Sequence, residues 1–190
     1  AFFMPMQNEE NPWKTIDSVK VYESAWIEVN KHNVINPADN PAIYSTIHFK
    51  NKAIGVIPLD ENYNTWIVGQ FRYPTNSYSW EIPEGGGNLN VPYADSAARE
   101  LLEETGLKAE KYTEIMRMHL SNSASDEEAI VFVAQNLSYH TAEPEETEVL
   151  QIKKLPFNEL YKMVHEGQII DAITIAAVYK VKVMIEEGAL

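Results

Sequence analysis

Cysteine is missing from all 190 residues, which excludes disulfide staples and thiol chemistry and suits a reducing compartment. Positive charge is scarce: 15 Lys and Arg face 28 Asp and Glu, for a net charge of −13. That balance argues against a surface that holds nucleic-acid backbone by counterion release. A small anionic substrate stays open, provided cations neutralise its site. No apolar run is long enough to span a membrane, since the most apolar stretch, near the end, is broken by Lys180 and Lys182. The opening Ala1-Phe2-Phe3-Met4-Pro5 has no basic region and too short an apolar run for a signal peptide. The expectation is a cytoplasmic protein without membrane or nucleic-acid partners. Repeats and low-complexity tracts are absent as well. What is present is ordinary for a globular chain, 45% hydrophobic and 11% aromatic, and the length allows one good core plus a small appended unit.

The most distinctive stretch runs Trp80-Glu81-Ile82-Pro83-Glu84-Gly85-Gly86-Gly87 and continues to Arg99-Glu100-Leu101-Leu102-Glu103-Glu104-Thr105-Gly106-Leu107. It reads as a strand, a glycine turn and a helix, with Pro92 in the helix's first turn and Gly106 as its stop. At about 100° per residue, Glu100, Glu103 and Glu104 share an arc of roughly 100°, with Ala94, Ala97, Ala98 and Leu101 beside them. Like charges at these spacings repel by about 0.2–0.5 kcal/mol per pair, and Glu103 and Glu104 also sit in the last turn, where the helix dipole disfavours anions. A compensating cation is expected. Mg²⁺ fits best, because it takes oxygen ligands and is commonly held by a few carboxylates together with substrate phosphates.

On either side of this stretch the chain is patterned mostly as strand. Residues 1–13 form a polar, proline-containing arm. Strand patterns over Thr15–Tyr22, Trp26–Val29 and Ala42–Phe49, with a turn at Asn36-Pro37-Ala38-Asp39-Asn40-Pro41, make an N-terminal antiparallel β unit over residues 1–50. Such a unit is too small to bury much alone and must pack on something. The main domain, 51–190, opens with apolar strands at Ala53–Leu59 and Thr65–Phe71, joined by a polar, hairpin-type connection. Further strands are expected at Tyr78–Ile82, Tyr112–Leu120, Ala129–Ala134 and about Val149–Lys154. Two helices close the chain, near Asn158–His165 and Asp171–Glu187, broken at Gly167 and with Asp171 able to cap the second. The order implies an α/β class, a mixed sheet covered by helices.

The arrangement of glycine, arginine and glutamates resembles the Nudix hydrolase box, G-x5-E-x7-R-E-U-x-E-E-x-G-U, with U a bulky apolar residue. Gly85, Arg99, Glu100, Leu101, Glu103, Glu104, Gly106 and Leu107 occupy its positions. Val91 stands where the box has a glutamate that pairs with the arginine, and Asp95, one turn before Arg99, is spaced to replace it. The resemblance implies the Nudix α/β/α sandwich. Over residues 13 to 180 it narrows to the ADP-ribose and nucleoside-diphosphate-sugar pyrophosphatase branch. Gln70-Phe71-Arg72 is similar to that branch's Gln-Tyr-Arg, whose arginine contacts the nucleotide, and Ser125-Asp126-Glu127 to its Ser-Asp-Glu loop.

The resemblance implies a Mg²⁺-dependent pyrophosphohydrolase, with Mn²⁺ as a possible substitute, acting on a small-molecule nucleotide as a homodimer. Its metal ligands would be Glu100, Glu103, Glu104, Glu148 and the carbonyl of Glu84, whose side chain is read as a bystander. Glu146 would be the catalytic base, with Glu145 as the alternative for base or ligand; Glu103 and Arg99 complete the catalytic set. Arg72, Glu127 and Trp26 would contact substrate, Trp26 and Tyr22 by stacking. The expected cut is at the diphosphate of a nucleoside diphosphate linked to a sugar. ADP-ribose is the leading candidate, although Ser121-Asn122-Ser123 stands where its hydrolases typically carry a proline. Two rivals are kept: a hydrolase of another diphosphate such as a dinucleoside polyphosphate, and a non-catalytic Nudix-fold nucleotide sensor.

Overall fold

The structure, a computed structural model, describes residues 10–141 and 150–190. It divides into two units, the chain up to Lys50 joined by Ser123–Asp126, and Asn51–Asn122 together with Glu127–Leu190. No helix among the described residues is long and apolar enough to cross a membrane.

In the first unit β1 (Lys14–Glu23), β2 (Ile27–Ile35) and β3 (Pro41–Phe49) form an antiparallel meander. The Asn36 carboxamide oxygen makes the β2–β3 turn by accepting from the backbone N–H groups of Ala38 and Asn40, each at 3.0 Å. Across the strands, His32 bonds Ser18 at 2.7 Å and Thr46 at 2.8 Å, one through each ring nitrogen. The segment 123–126 lies along β3: Ile47 N–H donates to the Ala124 carbonyl at 2.9 Å, and the Asp126 carboxylate accepts from Phe49 N–H at 2.8 Å and pairs with His48. Val34 is buried in this unit, whereas Ile16, Val19, Val21, Tyr22, Trp26 and Ile43 are exposed.

Among the described residues the second unit holds two sheets and three helices. One sheet is mixed, in the order β7 (Glu84–Gly87), β4 (Lys52–Pro58), β9 (Glu128–Tyr139), β8 (Leu107–His119), with β4 and β9 parallel. The other is antiparallel, in the order β10 (Gln151–Pro156), β5 (Asn64–Arg72), β6 (Ser77–Glu81). Alternation along the central strands divides the core in two. Ile54, Val56, Ile130, Phe132 and Ala134 pack with Ala97 and Leu101 of α1 (Tyr93–Thr105). Ile57, Val131 and Val133 pack with α2 (Phe157–His165) and α3 (Ala172–Glu186), through Phe157, Leu160, Ile173, Ala177, Val178 and Val181. A mixed sheet sandwiched between helices is the α/β architecture expected from the element order.

Three local readings change. The apolar strands β4 and β5 are not a hairpin but belong to different sheets. β4 is buried on both faces and takes β9 as a parallel neighbour, an arrangement that period-2 reasoning cannot distinguish from a hairpin arm. The glycine triplet is not a bare turn: Glu84–Gly87 pairs antiparallel with Lys52–Gly55. And β8 begins at Leu107, directly after the helix stop, and not at Tyr112; the added first half is largely polar and partly exposed and so carries no apolar signal in the sequence.

Candidate active site

The box helix ends as its sequence requires, with Gly106 in the left-handed conformation at φ +70° and its N–H on the Leu102 carbonyl. Two of its three box carboxylates are shut off from water. Glu100 and Glu104 are buried, Glu104 being 1% exposed, and Glu103 is partly exposed. Glu104 Oε2 accepts the backbone N–H of Glu84 at 3.0 Å. A β-carbon at position 85 would lie 2.3 Å from the Glu100 carboxyl, so the box glycine is the space that Glu100 occupies. Arg99 ties the strand to the helix: Nη2 donates to the Gly86 carbonyl at 2.8 Å and to Glu100, and Nη1 to Glu103 at 2.6 Å. Burial works against the Arg99 charge, yet Glu100 and Glu103 outweigh it and raise its pKa. Asp95 does not make the pair with Arg99 that its spacing suggested; among the described residues that guanidinium is taken up by Gly86, Glu100 and Glu103.

A second cluster adjoins the first. Arg72, at the end of β5, sets Nε on both carboxylate oxygens of Glu81 at 3.1 Å and donates from Nη2 to Glu84 Oε1 at 2.8 Å. Carboxylate oxygens of Glu81, Glu84 and Asp171 lie within 4.8 Å of one another. Burial, and then the charges of Asp171 and Glu81, push the Glu84 carboxyl well above the usual carboxylate range, against the pull of Arg72. Burial likewise opposes the Arg72 charge, but Glu81 and Glu84 hold that guanidinium protonated. Two clefts flank the cluster, each about 300 Å³. One is lined by Arg72, Glu84, Gly85, Glu127 and Asp171, and the other by Arg72, Thr75, Ser77, Glu81 and Asp171. Burial raises the pKa of Glu127 in the first.

The donor set suits a hard divalent cation. Carboxylate oxygens converge from β6, β7 and the start of α3, Glu104 of α1 takes the Glu84 N–H beside them, and Glu84 Oε2 is buried with no hydrogen-bond partner among the described residues. Arg72 and Arg99 leave much of this negative charge unbalanced, and an oxygen-seeking ion would satisfy the orphan.

The structure thus brings together Arg72, Glu84, Glu127, Arg99, Glu100, Glu103 and Glu104 within the second unit. The Glu84 side chain, expected as a bystander, is instead a buried partner of Arg72. Trp26 lies in the first unit, at the bend between β1 and β2, and is 63% exposed. The tripeptide Ser125-Asp126-Glu127 is divided: Asp126 bonds β3 of the first unit, while Glu127 lines the cleft with Arg72. Glu145, Glu146 and Glu148 lie outside the described residues. Glu81 and Asp171 join the site without any sign of it in the sequence pattern. Asp171 is legible there as a helix cap, and it is one, accepting from Thr174 N–H at 2.7 Å; its approach to Glu84 has no signal in linear spacing.

Comparison with known proteins agrees with this geometry. The chain is 29% identical over 179 residues to an ADP-ribose pyrophosphatase of Mycobacterium tuberculosis, covering 90% of this chain and 84% of that protein. It is 28% identical over 167 residues to an ADP-ribose pyrophosphatase of Bacillus subtilis, covering 87% of this chain and 90% of that protein. Among solved structures, an ADP compounds hydrolase superposes with a TM-score of 0.84 at 18% identity, covering 97% of this chain and all of the other, a likeness of fold. The NUDIX domain profile matches residues 49–177, the span that contains both carboxylate clusters and both arginines, and the chain belongs to the Nudix family.

Proposed function

We propose that this Nudix protein hydrolyses the diphosphate bond of a nucleoside diphosphate linked to a sugar, with ADP-ribose the first substrate to test, releasing a nucleoside monophosphate and a sugar phosphate. The observation that carries the reading is the convergence of Glu100 and Glu104 on the Glu84–Gly85 backbone beside the orphaned Glu84 carboxylate oxygen. The relatives named as ADP-ribose pyrophosphatases support the substrate class.

Glu100, Glu103 and Glu104, with the Glu84 carbonyl and Glu148, would hold Mg²⁺, or Mn²⁺ in its place. When bound, such an ion neutralises phosphoryl oxygens and favours attack by water. Arg99 holds Glu100 and Glu103 against the Gly86 carbonyl, so their carboxylates are oriented before substrate arrives. Arg72, on the rim shared by both clefts, offers a fixed cation for the nucleotide's phosphates. Glu127, which lines one of those clefts, is assigned a substrate contact. Glu146 is assigned the general base that takes the proton of the attacking water, and Glu145 is the next candidate. Trp26 is assigned a stacking contact with the base.

The test is a panel of nucleoside diphosphate sugars and dinucleoside polyphosphates with Mg²⁺ or Mn²⁺, reading released monophosphate. Turnover of the sugar-linked compounds is expected, with E146Q lowering kcat by about 10² to 10⁴-fold at nearly unchanged KM. E148Q raises the Mg²⁺ needed for half activity. No monophosphate from any sugar-linked compound refutes the proposal, and wild-type turnover in E146Q moves the base elsewhere.

A further inference from the structure

The geometry points to Thr174, on α3, as a positioning residue for the segment that carries Glu84. The corner Ile82-Pro83 joins Glu81 at the end of β6 to Glu84 at the start of β7. Two bonds hold it. Val56 N–H donates to the Pro83 carbonyl at 2.9 Å, and Ile82 N–H donates to Thr174 Oγ1 at 3.0 Å. Pro83 has no N–H of its own, so the bond to Thr174 anchors the only amide in the corner.

Thr174 is fully buried, in a helix face otherwise made of Ile173, Ala177, Val178 and Val181. A hydroxyl in such a setting is costly unless it is bonded, and here it bonds the corner. Its own position is fixed by Asp171, whose Oδ2 accepts from Thr174 N–H at 2.7 Å. The helix also presses close: a β-carbon on Gly55 of β4 would meet Ile173 Cγ2 at 2.8 Å and Ile82 Cδ1 at 3.0 Å. The first turn of α3 therefore sets the path of residues 82–84. Through that path it sets where Glu84 presents its N–H to Glu104, its side chain to Arg72 and its carbonyl to a cation. The effect on turnover rests on the proposed hydrolase activity and the effect on metal binding on the cation site proposed with it; the effect on amide exchange rests on neither.

The experiment compares the full-length protein with T174V, which keeps the shape and removes the hydroxyl, and T174S, which restores it. Three quantities are read: amide hydrogen exchange at Ile82 and Glu84, Mn²⁺ affinity by electron paramagnetic resonance, and steady-state kinetics. T174V is expected to speed exchange at Ile82, weaken Mn²⁺ binding by about 10-fold and lower kcat by about 10 to 100-fold, with KM changed far less. T174S recovers most of each. A role confined to stability would lower the melting temperature and leave the Mn²⁺ affinity of the folded protein unchanged, and that result overturns the proposal. So does lost affinity that T174S fails to restore. If T174V does not fold, T174A makes the same comparison, and an Ile82 amide that exchanges rapidly in the wild-type protein refutes the proposal without any variant. A wild-type protein that binds Mn²⁺ yet releases no monophosphate sinks the hydrolase reading alone, while exchange and Mn²⁺ affinity still decide the role of Thr174.

Discussion

At Gly85 the absence of a side chain has a specific content, since the Glu100 carboxyl fills the space that a β-carbon would take. That carboxyl is the far end of a flexible chain, and it can move aside more easily than backbone can. G85A is therefore expected to fold, with a melting temperature lowered by only a few degrees, while a displaced Glu100 reduces kcat by about 10²-fold or more. Thermal unfolding and steady-state kinetics on the same preparation check this. Wild-type turnover in G85A would show that the Glu100 position does not matter. The arginines differ in the same concrete way. Arg99 bonds a backbone carbonyl and the helix carboxylates, whereas Arg72 spends its guanidinium on Glu81 and Glu84. Lysine, a point charge without the planar fork, could not reproduce either set.

Among the elements, the connection between β4 and β5 shows how a short polar loop directs two apolar strands into separate sheets. The Asp60 carboxylate accepts from the N–H groups of Asn62 at 2.9 Å and Asn64 at 2.8 Å, and pairs with Lys154 of β10 at 3.0 Å. Tyr63 adopts φ +56° within the loop, and its carbonyl accepts from Phe157 N–H at the start of α2. Burial opposes the Asp60 charge, but the bonds from Asn64, Lys154 and Asn62 prevail and hold its pKa at about 2, below the ordinary 3.8. A carboxylate with a depressed folded pKa adds stability that is fully present above the unfolded value and disappears as pH falls through the folded one. D60N should thus be less stable than wild type by about 1–2 kcal/mol at neutral pH. The difference should shrink as pH drops from 3.8 toward about 2. Urea unfolding across that range measures it, and a difference that stays constant with pH would rule out the charge as its origin.

For the whole molecule, the first unit presents a problem of burial. A three-stranded sheet with Ile16, Val19, Val21, Tyr22 and Ile43 exposed cannot complete a core from its own residues. We expect a second copy of the chain to supply the missing partner in a homodimer with two-fold symmetry. Light scattering at micromolar concentration should give twice the 21.6 kDa of one chain, and the paired substitutions V19D and V21D should reduce it to the single-chain mass. A wild-type protein that scatters as a monomer would disprove the dimer.

How much of this is legible in the sequence depends on the range of the interactions involved. The box helix, its stop at Gly106, the shared face of Glu100, Glu103 and Glu104 and the family itself are readable from sequence alone. Each rests on spacing within a few turns of chain, where a 3.6-residue period and a glycine at positive φ dictate geometry locally. The same holds for the turn at Asn36 and the cap at Asp171. Other features came only with the tertiary structure: the parallel pairing of β4 with β9, the division of Asp126 from Glu127, the gathering of Glu81, Glu84 and Asp171, and the bond from Ile82 to Thr174, 92 residues away. Strand pairing is nonlocal, and several partners satisfy the same apolar alternation. Which one wins is decided by how completely the helices on both faces bury the sheet, and the positions of distant carboxylates are set by that packing.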